Sequence, residues 1–272
     1  MKKIINQSIL NFFKLDKRKK MVIASALLTL SFLYITQTFN VVFRRYYLIY
    51  IIGIVSYVLS LWALWMGKDK TRLFAVFILP VTYAIALSSF YFLFRHIGWL
   101  TRIPTAAFFG LSFYSLLLSQ NVFNVSSDKA IPLYRAASTV NFVFTILTSI
   151  LLISVLYAFE LQFYWNAILV IIVSFFLSLQ VLWSIDMDKI TSQNLIYSFL
   201  MALIAGELAL ALSFWPSHPI VKAILLSTIL YICVEIVIEH IRKRLNRQLV
   251  YECIGACSLI LFLSYIVTVW GG

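Results

Sequence analysis

One acidic residue stands inside an otherwise uninterrupted apolar run. Glu207 lies within residues 195–214, eight positions before Trp215. At 1.5 Å per helical residue that is roughly 12 Å from the tryptophan, close to the middle of a bilayer. Inserting a charge at such a depth costs roughly 2.5–3.5 kcal/mol, so an ionisable residue there is a functional candidate by default. Withdrawal from water favours the protonated form. The spacing therefore predicts a buried, at least partly neutral carboxyl. Two roles stay open for it: coupling of a proton or cation to movement, or a structural hydrogen bond to a neighbouring helix.

A second constellation is hydroxyl- and amide-bearing. Asn141, Thr145, Thr148 and Ser149 recur at i, i+4, i+7 and i+8, which places them on one helical face. Such a stripe either joins helices, at about 1–2 kcal/mol or less per bond, or lines a route for water. Ala205, Ala209 and Ser213 form a small-residue seam on the helix of Glu207, the pattern that lets two backbones approach closely.

A third group is cationic. Arg44, Arg45, Arg95, His96, Arg102 and His218, with Lys222 and Glu160 nearby, fall at one set of span ends, interleaved with Tyr46, Tyr47, Trp99 and Trp215. Guanidinium forks fit phosphates. A lipid-phosphate or pyrophosphate contact is one reading, and plain headgroup anchoring with Glu160 paired to an arginine is the other.

The last hairpin carries Glu239, Glu252, Arg242 and Arg247, expected to form an ion-pair network at the opposite surface. Cys233, Cys257 and Glu235 fall at similar depth, but no imidazole joins them and no C-x-x-C occurs, so no metal site is assigned. No cofactor is expected. The chain has no His-Glu-x-x-His, no Gly-x-Ser-x-Gly and no Gly-x-x-x-x-Gly-Lys. Asp186-Met187-Asp188 is a lone D-x-D without a catalytic domain around it.

The elements that must position these residues follow from composition. Hydrophobic residues make up 62% of the 272 and charged residues 12%, against about 45–50% and about 25% in soluble domains. That excludes a soluble enzyme, a disordered chain and a disulfide scaffold. Nine apolar runs fit helical spans: 21–40, 47–66, 73–94, 104–120, 138–159, 164–184, 195–214, 220–240 and 249–270. The fourth is short and polar-flecked, so eight spans is the fallback. The runs are continuous rather than alternating, which excludes a β-barrel.

Seventeen basic residues fall in one set of connections and five in the other. The majority set includes seven in 2–20, three in 68–72 and four in 242–247. By the positive-inside rule the N-terminus is inside and, with nine spans, the C-terminus outside. All seven tryptophans fall near proposed span ends, where amphipathic rings anchor at headgroups. Pro104, Pro132, Pro216 and Pro219 mark connections. Pro80 should kink the third span, and 121–137 is the one long connection.

Ile5, Ile9, Phe12 and Phe13, among Lys2, Lys3, Lys14 and Lys17–Lys20, predict a basic amphipathic segment over 1–20 lying on the inner leaflet. Residues 21–272 then form a single transmembrane helical domain. The net charge of +12 is read as topology and contact with anionic headgroups rather than nucleic acid.

Gly206-Glu207-Leu208, followed by Leu212-Ser213-Phe214-Trp215-Pro216 and the basic end of the next span, resembles an uncharacterised family of multi-pass bacterial membrane proteins. The resemblance covers the last three spans. It implies a bacterial cytoplasmic (inner) membrane and no activity.

The expected fold is thus an all-α polytopic transmembrane helical bundle. Three functions are compatible with it. The scarcity of chemistry and the short loops favour a non-catalytic subunit or scaffold that assembles with membrane protein partners. Glu207 and the polar stripe would serve a small proton- or cation-coupled transporter. The arginine and histidine cluster would serve a membrane-embedded enzyme acting on a lipid phosphate.

Overall fold

The computed structural model describes residues 16–38, 42–64, 70–93, 99–125, 132–186, 190–243 and 246–268, with the side chains of 38, 42–48, 70–74, 99, 125 and 186 left out. Among the described residues the regular secondary structure is helical, with no strand. The elements are α1 (Lys17–Thr38), α2 (Val42–Leu64), α3 (Lys70–Leu93), α4 (Trp99–Val125), α5 (Pro132–Ala158), α6 (Phe163–Asp186), α7 (Ser192–Ser213), α8 (Pro219–Ile241) and α9 (Arg247–Val267). Counted over the described residues, eight of them are long and apolar enough to cross a membrane.

The fourth span, expected to be the doubtful one, reaches Leu100–Asn124. The polar residues that made the fourth run look doubtful, Ser112, Ser119 and Gln120, are buried against neighbouring helices rather than lost to lipid. The amphipathic segment expected over 1–20 lies outside the described residues up to Leu15. Lys17–Lys20 belong instead to the first turn of α1, where Lys20 reaches over the Trp62 ring at 5.9 Å.

Consecutive helices run antiparallel. At one end Asn124 Nδ2 donates to the Leu64 carbonyl at 3.1 Å and Tyr134 Oη to that of Ser184 at 3.1 Å. At the other, Trp215 Nε1 donates to Thr268 Oγ1 at 3.0 Å. Pro132 and Pro219 occupy first helical positions, where a missing N–H leaves no bond unmade. Pro104 does not mark a connection: it sits in the second turn of α4. The helix continues through Pro80 in α3 as well.

Of the long connection expected over 121–137, residues 121–125 are helical at the end of α4 and 132–137 at the start of α5, where contacts hold them. Phe123 and Tyr134 pack edge-to-face with centroids 5.8 Å apart, and Asn124 bonds α2.

In lipid, apolar side chains gain nothing by leaving the solvent for one another, so close packing and interhelical hydrogen bonds hold the bundle. Phe32, Tyr83, Phe109 and Phe113 fill the core of the first half, with Phe32 and Phe109 centroids 5.0 Å apart. Trp183, expected as a headgroup anchor, is 1% exposed and joins that core. A second cluster packs α5, α6, α7 and α8 near Tyr157, and a third packs α6, α7 and α8 near the far end. The outermost helix, α9, packs chiefly on α8 and buries little beyond Cys253 and Ser264.

Candidate functional site

α7 begins at Thr191, whose hydroxyl accepts the Asn194 amide proton at 3.3 Å and caps an otherwise unpaired donor. Its buried face is built from small residues: Ala202, Ala205, Gly206 and Ala209. These let α6 approach until a Cβ on Gly206 would overlap the Ile171 side chain. The expected seam of Ala205, Ala209 and Ser213 is therefore real in part, with Gly206 at its closest point. Ser213 turns instead to Asn166, at 3.5 Å.

Glu207 is exposed, which corrects the expectation that it is buried within the bundle. Gly206 faces α6, and the next residue lies about 100° round the helix. Leu200, Ile204, Leu210 and Phe214 are exposed with it, so the carboxyl interrupts an apolar outer face. Among the described residues it has no hydrogen-bond or ion-pair partner. It lies six residues from the end of α7 at Ser213, about 9 Å along the axis. Helical side chains tilt toward the helix N-terminus. Here that direction leads deeper into the span and away from the nearer surface.

The stripe of α5 is placed inward, and Asn141, Thr145, Thr148 and Ser149 are all buried. Asn141 is a hub. Its Oδ1 accepts from Gln120 Nε2 at 2.7 Å and from Gln180 Nε2 at 2.8 Å, and its Nδ2 donates to Gln180 Oε1 at 3.3 Å. Three helices, α4, α5 and α6, thus meet at one amide. Ser149 bonds Ser227 of α8 at 2.8 Å. Thr145 and Thr148 donate to carbonyls one turn back, Asn141 O and Phe144 O. The cavity beside Thr145, Ser149 and Ser227 measures 10 Å³, room for one water at most. Of the stripe, Asn141 and Ser149 join helices, while Thr145 and Thr148 bond within α5.

Sequence reasoning missed Gln120 and Gln180. Each lies five or six residues from the end of its helix, and Asn141 lies nine from the start of α5. Because these helices alternate in direction, all three amides sit at comparable depth near one end. That shared depth was the available signal.

The cationic group is only partly described. Arg95 and His96 lie outside the described residues, as do the side chains of Arg44, Arg45 and Trp99. Arg102 sits in the first turn of α4, a helix packed with α1, α2, α3 and α5. His218 belongs to the turn between α7 and α8, where it caps α8 with no side-chain bond. That turn holds an open cavity of 440 Å³ lined by Ser213, Trp215, Ser217, His218 and Lys222 among others.

At the other end, the four expected network members divide. Arg242 Nη1 pairs with Glu239 Oε1 at 3.0 Å, while Glu252 accepts from Gln248 Nε2 at 3.1 Å. Among the described residues Arg247 enters no ion pair. Both contacts are local to one helix, and exposed pairs of this kind contribute about 0–1 kcal/mol. No three metal-ligating side chains converge among the described residues, and the three cysteines are free.

Residues 62–271 match the model of DUF5656, described as a protein of unknown function. The chain belongs to the DUF5656 family. The match covers the end of α2 through α9, well beyond the last three spans from which a resemblance was read. Every site described above from α4 onward therefore lies within the DUF5656 region. No curated protein and no solved structure matches the chain.

Proposed function

We propose that this DUF5656 chain is an integral membrane subunit that assembles with protein through the outer face of α7, with Glu207 at the centre of the contact. The observation that carries the reading is an exposed carboxyl without an internal partner, set among Leu200, Ile204, Leu210 and Phe214 on a spanning helix. Lipid tails offer it no donor. A neighbouring helix that presents a cation or hydrogen-bond donor about 9 Å from the Ser213 end of α7 does. The bundle's other polar groups support the same reading. The amide hub and the Ser149–Ser227 bond are spent on cohesion within the bundle, whereas the Glu207 carboxyl faces outward. The distribution of basic residues supports an orientation with α1 starting on the cytoplasmic side, in a cell membrane with anionic lipid, for which a bacterial inner membrane is our reading.

The test is the size of the particle extracted in mild detergent. Glu207→Leu is expected to reduce a larger assembly to the single chain, whereas Glu207→Gln, which keeps a donor and an acceptor, retains it in part. Identical particle sizes for the native chain and Glu207→Leu would contradict the proposal.

A further inference from the structure

We infer that the cavity at the α7–α8 turn is a binding site for a phosphate-bearing anion. The cavity of 440 Å³ opens at the end of the bundle and has His218 and Lys222 in its lining, with the Ser213 and Ser217 hydroxyls and Trp215. This is the chemistry of phosphate recognition: one fixed cation, a ring N–H that donates in either protonation state, and the Ser217 hydroxyl as a short donor.

Lys222 is held for the role rather than spent elsewhere. Its Nζ stands 5.1 Å from the centroid of the Tyr157 ring, and Tyr157 is itself anchored by a 2.7 Å bond from its hydroxyl to the Ala209 carbonyl. Among the described residues no carboxylate pairs with this lysine. A ring face orients an ammonium without neutralising it, so the positive charge remains available to a ligand. His218 likewise makes no cap bond that would occupy its ring.

The floor is built, not a chance gap. Ser213 donates to the Ala209 carbonyl at 2.9 Å and receives Asn166 Nδ2 at 3.5 Å. Asn166 is 4% exposed, and its Oδ1 has no partner among the described residues. Trp215 is tied at its Nε1 to Thr268, which fixes the wall contributed by the turn. The same anion could reach this site as a lipid headgroup, from the adjacent leaflet, or as free phosphate from water.

The experiment uses the full chain in neutral detergent with two probes. Phosphatidic acid retention is read by native mass spectrometry, and inorganic pyrophosphate binding by titration calorimetry. Lys222→Gln and His218→Gln are each expected to weaken the responding probe, the double variant by about ten-fold or more, while Lys222→Arg keeps binding. Lys20→Gln, at the opposite end, is the control and is expected to leave the responding probe unchanged. A response confined to phosphatidic acid identifies a headgroup as the source, and one confined to pyrophosphate identifies a free anion. His218→Gln lies on an exposed cap and leaves the Lys222–Tyr157 stack untouched, so its effect does not depend on that contact surviving. If both probes bind the double variant as they bind the native chain, or if Lys20→Gln weakens binding equally, the inference is overturned.

Discussion

Gly206 and Ile171 meet so closely that the glycine has no room for a Cβ. This contact sets the rotation of α7 on α6 and, through it, the outward direction of Glu207. Replacing Gly206 by alanine forces a shift in a packed seam, and overpacking of this kind costs about 1–3 kcal/mol. Unfolding of the Gly206→Ala chain in mixed micelles is expected to show that loss. Adding Ile171→Ala should recover part of it, since the second change removes the obstructing atoms.

Asn141 satisfies two buried glutamines at once. In Asn141→Leu both Gln120 and Gln180 keep buried amides with nothing to bond, and stranded groups of that kind cost about 1–3 kcal/mol. We expect Asn141→Leu to destabilise the chain more than Gln120→Leu does, because Gln120 contributes one bond to the hub. A double-mutant cycle on Asn141 and Gln180 should return a favourable coupling energy, and a coupling of zero would show that the hub carries no stability.

The cavity beside Ser149 on α5 measures 10 Å³, too small for a chain of waters. Ser149→Cys should therefore resist a charged, water-borne thiol reagent in sealed vesicles, from either side. Rapid modification would point to a hydrated path along α5 and restore the transport reading.

Trp215 and Thr268 tie the end of α9 to the α7–α8 turn. Since α9 buries little else, Thr268→Val should speed hydrogen exchange over the last turns of α9 while leaving α5 and α6 protected as before. Equal exchange in both chains would mean that the bond does not hold the helix.

The spans could be read from the chain because a long apolar run has one stable state in a bilayer. Pro219 stood at the edge of an expected span, whereas Pro132, expected within the connection 121–137, opens α5. Rotation was harder to read. In a soluble helix the apolar stripe points inward, but in lipid both faces of α7 are apolar, and Glu207 drew attention to itself rather than to its direction. The small residues held the answer. Ala205 and Ala209 each lie two positions from Glu207, about 200° round the helix, so the face they bury is opposite the carboxyl. Trp183 was misplaced for a related reason: nearness to a span end does not distinguish a headgroup anchor from a core residue packed under a neighbouring helix. The amide hub required the depths of three helices to be compared at once, which no single run displays. The resemblance read from the last three spans underestimated the family match, because it rested on one short stretch around Glu207 while the match extends from residue 62 to 271.

The central claim, that protein covers the Glu207 face of α7, is tested most directly by photocrosslinking in native membranes. A benzophenone side chain placed at Ile204 or Leu210, exposed beside Glu207, is compared with one at Leu118 on the outside of α4. The account predicts protein adducts of discrete mass at both α7 positions, abolished by Glu207→Leu, with only lipid adducts at Leu118. Lipid adducts alone at Ile204 and Leu210, or protein adducts indifferent to Glu207→Leu, would contradict it.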